Sequence, residues 1–278
     1  MPSLLDVLAQ RFPDSSRTTL RSILQSGRVR VNDLPCRDAR QEIVSADRVD
    51  VASRRDGRQL DPRVRVMYLD DDLVVIEKAV GLLTVPPENE PSRQDTAELI
   101  LSRWLGDGSK RVHVVQRLDR DTSGVLVFAR NGDMRDRLKS LFARHDIERL
   151  YIAIVHGSLD PPDGTIRSRL AEDDALRMQI VRDGEGKEAV THYRTIEAGA
   201  RFSRLEVTLE TGRRNQIRVH LAERGHPIAG DAMYGIAGDR SLPRLALHAR
   251  TLGFVHPRTR KHMTFLAPLP AEMERFPL

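Results

Sequence analysis

The sequence predicts an α+β protein with a mixed, largely antiparallel sheet and a central cleft, preceded by a small α/β unit. Short apolar strands recur along the chain as hairpin-like pairs, and the segments with helical spacing are separate from them. The 278 residues are 40% apolar and 31% charged, which is typical of a globular protein. The chain is therefore long enough to bury a substantial core.

Residues 1 to 52 are predicted to form the small unit. A second helix is expected from a cap at Ser15 or Ser16 to Gln25, with Gly27 as its C-terminal cap. Two short strands, RVRVN and DRVDV, follow this helix. The first helix is predicted from apolar residues at helical spacing, Leu4, Leu5, Leu8 and Phe12.

Residues 53 to 65 are polar and contain turn-forming residues, so we expect a linker, and residues 66 to 278 form the second domain. A hairpin-like connection with its turn at residues 183–187 is also expected. The strands predicted in this domain lie in MYLDDDLVVIEK, GVLVFAR, YIAIVHG, THYRTIEA and SRLEVTLET. The helices are predicted in DTAELILSRWL, GDMRDRLKSLFARH and NQIRVHLAERG.

The charge and the cysteine content limit the classes of function. Lys and Arg number 45 against 40 Asp and Glu, a net charge of +5 that is compatible with binding a polyanion. Cys36 is the only cysteine, which excludes an intramolecular disulfide and a thiolate metal cluster. The amino terminus lacks the apolar core of a secretion signal, and no run reaches the roughly 20 apolar residues of a membrane span. We expect a cytoplasmic protein without a membrane partner.

The segment VQRLDRDTSGVLVFAR is the most informative part of the chain. It places Asp119 and Asp121 in a turn directly before a strand-like apolar run. Carboxylates on a loop held by a rigid strand are often catalytic. Asp, Ser, Thr and Gly are also ordinary turn residues, so the segment alone leaves a purely structural interpretation open.

Two further segments, ERLYIAIVHG and ETGRRNQIRVHLAERGHPIAGDAMYG, follow in order. With RLDRDTSG they resemble the RluA family of pseudouridine synthases, whose usual signatures read HRLDxxTSG, KxYxA and TGRxHQIRxHLAxxGxPIxGDxxYG. The resemblance runs from about Arg65 to the C-terminus. The chain departs from the pattern at Ala79, Gln116, Arg149, Arg214 and Asn215, where the family often has Pro, His, Lys, Thr and His.

The amino-terminal pattern SSRTTLRSILQSGRVRVN, followed by DRVDV, resembles the S4-like RNA-binding domain. The resemblance implies that basic side chains of the second helix and the following hairpin contact RNA phosphates. The matching candidates are Arg17, Arg21, Arg28 and Arg30. A solvated basic face without this function is the alternative, because surface charges are common.

The family resemblance implies that Asp119 is the catalytic carboxylate and that Arg218 pairs with it. A guanidinium can hold a carboxylate in a planar, two-pronged contact and keep it ionised against the effect of burial. Asp121 is expected to hold the turn. Tyr151 is expected to stack on the uracil, with assistance in proton removal as a second role.

A uridine inside folded RNA must leave its stack to be modified. Arg117 is a candidate for contacting a phosphate or filling the vacated space, and Lys78 is a weaker phosphate candidate. No cofactor and no metal are expected. The predicted partner is RNA, with large-subunit ribosomal RNA as the first substrate and tRNA as the alternative, and we expect a monomer.

Three other functions remain open from the residues alone. The protein could bind RNA without catalysis, or act as a glycosidase through two carboxylates such as Asp119 and Asp121. It could also be a metal-dependent hydrolase built from the nine histidines, of which His220 and His226 lie near Asp231. No HExxH pair supports the last of these.

Overall fold

The computed structural model divides the chain into two compact units. One comprises Met1–Leu60 with Arg103–Asp107, and the other comprises Asp61–Ser102 with Gly108–Leu278. The residues that the structure describes are 2–13, 15–25, 28–32, 34–51, 60–86, 95–105, 112–175, 177–182 and 184–278.

The first unit contains two helices and a three-stranded antiparallel sheet of order β2-β1-β3. The Ser3 side chain accepts a hydrogen bond from the Asp6 backbone N–H at 3.3 Å and so caps the first helix. The expected cap at Gly27 lies outside the described residues. The elements are α1 (Leu4–Arg11), α2 (Arg17–Gln25), β1 (Val29–Val31), β2 (Leu34–Pro35) and β3 (Val49–Val51). Its core is formed by apolar side chains of both helices, of β1 and β3 and of the connecting segments, among them Leu4, Leu8, Leu20, Leu24 and Val29.

The second unit is built on a single mixed sheet of eleven strands. Its main order is β10-β9-β11-β12-β8-β13-β7-β5-β4, while β14 pairs with β13 and β6 pairs with β7. Among the strand pairs of the described residues, β7–β13 alone is parallel, so the predicted α+β class with a largely antiparallel sheet is confirmed. The strands are β4 (Val64–Leu69), β5 (Leu73–Lys78), β6 (His113–Val114), β7 (Ser123–Ala129), β8 (Ile147–His156), β9 (Asp163–Glu172), β10 (Met178–Val181), β11 (Lys187–Ala198), β12 (Phe202–Leu209), β13 (Leu247–Val255) and β14 (His262–Leu266).

The described residues after β3 contain four helices. The Asn131 side chain accepts the Met134 backbone N–H at 2.8 Å and starts the longest of them. Met134 and Leu138, one turn apart, are then buried in the core against β5, β7 and β13. The helices are α3 (Ala97–Leu105), α4 (Gly132–Ala143), α5 (Gln216–Glu223) and α6 (Ala271–Glu274).

The strand boundaries differ from the prediction in three places. Val64 begins β4 inside the range expected to be a linker, of which residues 53–59 lie outside the described part. The segment MYLDDDLVVIEK is divided by a turn in which the Asp70 carboxylate accepts the backbone N–H groups of Asp72 and Leu73. No strand was predicted for β6, β9, β13 or β14. The turn expected at 183–187 includes Asp183, which is not described.

The parallel pair of β7 and β13 depends on a glycine. Gly124 has φ +118°, and a Cβ atom there would lie 2.2 Å from the Ala249 carbonyl oxygen. The two strands can therefore approach only where β7 carries no side chain. Their register places Ser123 opposite His248, and Ser123 Oγ lies 2.8 Å from His248 Nδ1.

Two histidines of this sheet and of α5 are completely buried, His248 and His220. Burial is the main cause that lowers the pKa of each to about 4. An unfolded chain has histidine pKa values near 6.5. The unfolded state therefore binds more protons between about pH 6.5 and pH 4, and stability must fall as the pH falls through this window.

We expect the free energy of unfolding to decrease by about 4 kcal/mol between pH 7 and pH 5 from these two histidines together. Urea unfolding of His248→Asn at both pH values should show a smaller decrease than the parent protein. His262→Gln, a change at an exposed histidine, serves as the control and should keep the full decrease. An unchanged pH dependence in His248→Asn would contradict the assignment.

Candidate active site

A cavity of about 500 Å³ in the second unit brings the three predicted catalytic side chains together. Asp119 comes from the loop before β7, Tyr151 from β8 and Arg218 from α5, and all three line the same space. Arg117 lies at this cavity as well. Asp121 is exposed and is not part of the lining.

The loop that carries Asp119 is held from the protein interior. Thr84 Oγ1 donates to the Leu118 carbonyl at 2.8 Å and accepts the Leu118 N–H at 3.1 Å. The Gly81 N–H donates to the Arg120 carbonyl at 2.9 Å. The residues on both sides of Asp119 are thus fixed to the segment that follows β5.

Lys78 belongs to this support and not to an RNA surface, so its predicted phosphate contact is wrong. The side chain is fully buried, and Nζ donates to the carbonyl oxygens of Ala79, Leu82 and Arg120 at 2.8 to 3.0 Å. Burial, as the largest effect, lowers the pKa of Lys78 to about 7, against the opposing charges of Asp121 and Asp119. A phosphate cannot reach an ammonium group enclosed in this way.

The Asp119 carboxylate is held through one oxygen only. Asn215 Nδ2 donates to Asp119 Oδ2 at 2.8 Å, and Arg218 Nη1 lies 3.7 Å from the same oxygen. Oδ1 makes no hydrogen bond within the part of the chain that the structure describes. The carboxylate therefore presents one anchored and one free oxygen to the cavity.

The planar, two-pronged contact expected between Arg218 and Asp119 is made with Asp231 instead. Arg218 Nε and Nη2 donate to the two Asp231 oxygens, both at 2.7 Å. Burial raises the pKa of Asp231, but the hydrogen bonds and charge of Arg218 outweigh it and the net pKa is lowered. Asp231 fixes the guanidinium plane, and only the remaining Nη1 is directed at Asp119.

The start of α5 is fixed by a buried glutamine. Gln216 Nε2 donates to the Val190 carbonyl and to Thr191 Oγ1, and its Oε1 accepts from Thr211 Oγ1 and the Arg213 N–H, all at 2.8 to 3.0 Å. Its neighbour Asn215 has φ 54°, the left-handed conformation that Asn tolerates better than most residues. Asn215 and Arg218, three residues apart, then lie on one face of the helix start.

The Tyr151 ring lines the cavity two residues after Arg149 on the same face of β8. Arg149 Nη2 donates to the carbonyl oxygens of Leu209 and Glu210 at 2.9 and 3.0 Å and so ties β8 to the end of β12. Burial is the main cause that raises the pKa of Tyr151, and the charge of Asp119 adds to it. A raised pKa disfavours proton abstraction by the phenol, because the phenolate that would act as the base is less populated.

The predicted RNA-binding arginines are distributed over both units. Arg117 is exposed at the cavity. Arg17, Arg21 and Arg30 are exposed in the first unit, where Arg17 pairs with Asp6 at 2.8 Å. Arg28 is partly buried.

Two residues of the site were not predicted. Asn215 was noted only as a departure from the family pattern, and Asp231 only as a neighbour of histidines in the sequence. The sequence feature that could have drawn attention to Asp231 is its position in a glycine-flanked turn, GDAMYG, after the helix that carries Arg218. Its contact with Arg218 spans 13 residues and cannot be inferred from spacing.

Among the described residues, no three His, Cys, Asp or Glu side chains are grouped as metal ligands. The helices in the described part of the chain are all too short or too polar to cross a membrane.

The fold and this cavity define the class of protein. The structure of human RNA Pseudouridylate Synthase Domain Containing 4 superposes with a TM-score of 0.62, over 76% of this chain and 90% of that chain, at 24% identity. This similarity shows that the two proteins share a fold of the pseudouridylate synthase type.

The sequence comparisons establish the family. The family model for RNA pseudouridylate synthase matches residues 72–223. The Bacillus subtilis (strain 168) protein named RNA pseudouridine synthase YlyB is 35% identical, over 96% of this chain and 90% of that protein. Ribosomal large subunit pseudouridine synthase D of Xanthomonas campestris pv. campestris is 33% identical, over 97% of this chain and 86% of that protein. The chain belongs to the RNA pseudouridylate synthase family and is an RNA pseudouridine synthase.

Proposed function

We propose that this enzyme isomerises a uridine in large-subunit ribosomal RNA and that Asp119 is the carboxylate that acts on it. The observation that carries the proposal is the Asp119 carboxylate, with Oδ2 held by Asn215 and Oδ1 free at a cavity of about 500 Å³. Cavities of roughly 300 to 1,000 Å³ are typical of small-molecule sites, so a single nucleotide suits this space. The ribosomal substrate rests on the name of the Xanthomonas relative.

The isomerisation breaks the N1–C1′ bond, retains the uracil, and forms a C5–C1′ bond. N1 gains a proton and the C5 proton is lost, so the overall change needs neither an oxidant nor a cofactor. The free Oδ1 atom of Asp119 can attack C1′, attack C6 or accept a proton. All three routes require an ionised carboxylate whose position is fixed, which is what Asn215 and Arg218 supply.

Tyr151 and Arg117 have complementary tasks in this proposal. The Tyr151 ring supports the uracil as a stacking surface in the cavity, because its hydroxyl group is a poor base there. Arg117 is exposed at the cavity, where it can occupy the space that the uridine leaves in the RNA or bind a neighbouring phosphate.

The most direct test maps pseudouridines in total RNA from cells with and without this protein. We expect the loss of one or more sites in large-subunit ribosomal RNA. Loss of sites only in tRNA would transfer the substrate assignment to tRNA. An unchanged map would remove both assignments.

We propose further that the first unit is S4-like and binds RNA mainly through phosphate charge. The supporting observation is the exposure of Arg17 and Arg21 on α2 and of Arg30 on β1. Such contacts hold the RNA without reading its sequence, so they contribute to affinity and not to chemistry.

Simultaneous Arg17→Gln, Arg21→Gln and Arg30→Gln substitutions should weaken RNA binding and reduce the slope of log K against log salt by roughly 2 to 3. The single-turnover rate at saturating RNA should stay unchanged. The control replaces Arg260 and Lys261, two exposed residues between β13 and β14 that do not line the cavity, by Gln. A salt slope equal to that of the parent protein would show that the three arginines are only a solvated face.

A further inference from the structure

We infer that Asn215 is a positioning residue that holds Oδ2 of Asp119 through a neutral amide donor and so leaves Oδ1 as the reacting oxygen. This inference rests on the proposed role of Asp119. Asn215 Nδ2 lies 2.8 Å from Oδ2, closer than the Arg218 guanidinium at 3.7 Å. The amide is therefore the only side-chain group at hydrogen-bond distance from this carboxylate among the described residues.

The arginine cannot take over this task, because its hydrogen-bonding capacity is directed elsewhere. Arg218 Nε and Nη2 are bound to Asp231 at 2.7 Å each, and a guanidinium is planar and rigid. Moving Nη1 closer to Asp119 would require breaking this buried pair. The charge of Arg218 thus acts on Asp119 at longer range, while the orientation of the carboxylate depends on Asn215.

The backbone of Asn215 makes the residue type specific. Its left-handed φ of 54° is accessible to Gly, Asn, Asp and His and is strained for most other residues. The side chain is short enough to reach Oδ2 from a helix start that Gln216 fixes. The family pattern often has His at this position, which can also donate an N–H.

In the isosteric variant Asn215→Asp, the reaction rate relative to the parent protein is expected to depend on pH. At alkaline pH it places two carboxylates at one site, which repel each other and disturb the position of Asp119. At acidic pH the pair shares one proton, and an O–H donor replaces the amide. The other charged or titratable groups around Asp119 are Lys78, Tyr151, Arg218 and Asp121, and at the cavity Arg117, His145, Arg149, Glu188, Glu210 and Arg213. These groups are the same in the variant and in the parent protein. The ratio of the variant rate to the parent rate therefore reports only the effect of the residue at position 215.

The experiment measures kcat and KM of the full-length enzyme by tritium release from C5-labelled large-subunit ribosomal RNA, from pH 5.5 to 8.5. Asn215→Gly keeps the backbone conformation but loses the donor, and we expect kcat to decrease about 10- to 100-fold with KM nearly unchanged. For Asn215→Asp the ratio to the parent rate should rise at least about tenfold from pH 8.5 to pH 5.5. Asn215→His should recover most of the activity lost in Asn215→Gly.

Asn131→Asp is the matched control, because Asn131 Nδ2 also donates to an aspartate, Asp72, at 3.1 Å but does not line the cavity. Its rate ratio should stay flat with pH. A normal kcat in Asn215→Gly, or a flat ratio in Asn215→Asp, overturns the inference. Asp119→Asn distinguishes failure of this inference from failure of the proposed function. If Asp119→Asn is active, the proposed role of Asp119 is refuted. If Asp119→Asn is inactive while Asn215→Gly has a normal kcat, only the role of Asn215 is refuted.

Discussion

Asp119→Asn is expected to lower pseudouridine formation by more than about 10³-fold while the protein stays folded and binds RNA. The amide has nearly the shape of the carboxylate and can still accept the hydrogen bond from Asn215 through its oxygen. It cannot attack carbon or take a proton. Tritium release from C5-labelled RNA measures the reaction, and a binding assay with the same RNA measures affinity.

Asp121→Asn is the control for this prediction, because Asp121 belongs to the same loop but is exposed and outside the cavity. Its activity should remain close to that of the parent protein. Equal losses in the two variants would mean that the loop needs acidic residues for its structure, and the catalytic assignment of Asp119 would then fail.

Arg218→Lys is expected to lower the single-turnover rate on the order of 10²-fold, although it preserves the charge. An ammonium group cannot bind both oxygens of Asp231 in a plane and also direct a third N–H at Asp119. Affinity for RNA should change little. The measurement is the single-turnover rate at saturating RNA, together with the dissociation constant and a urea unfolding curve.

The matched control is Arg258→Lys, since Arg258 also binds the two oxygens of one aspartate, Asp72, but lies outside the cavity. This variant should keep its rate. If Arg218→Lys loses affinity and keeps a near-normal rate, Arg218 belongs to the RNA-binding residues and not to the support of Asp119.

Local sequence patterns predicted much of the fold because they depend on short-range physics. The continuous apolar run in GVLVFAR and the helical spacing in GDMRDRLKSLFARH depend on neighbouring residues, and β7 and α4 follow them. β13 is also buried on both faces along most of its length, but it was missed because His248, Arg250 and Thr251 interrupt its apolar residues. Its sequence therefore shows neither the continuous apolar run of β7 nor a sustained alternation.

The candidate site was predictable to the extent that motifs carry it. RLDRDTSG, ERLYIA and RRNQIR led to Asp119, Tyr151 and Arg218, which the fold brings to one cavity. The choice of partners could not be predicted. On the basis of charge, Arg218 could pair with either Asp119 or Asp231. The path of the chain after α5 places the Asp231 carboxylate at Nε and Nη2 of Arg218, and the sequence does not reveal this path.

The phosphate contact predicted for Lys78 was wrong for a similar reason, because its partners are set by the tertiary fold. A lysine at the end of a buried strand can extend its side chain to solvent or turn it inward. Here the carbonyl groups of the nearby Ala79 and Leu82 and of Arg120, which lies 42 residues further along the chain, converge on Nζ. Such convergence leaves no local sequence signature.

The interior attachment of the Asp119 loop also bears on how this enzyme can evolve. Lys78 and Thr84 fix the backbone around Asp119 from behind, and neither of them lines the cavity, whereas Arg117 and Arg213 do. Mutations at the cavity rim can therefore accumulate, and redirect the enzyme to another RNA, without displacing the carboxylate. New substrate preferences can arise one rim substitution at a time on an unaltered catalytic centre.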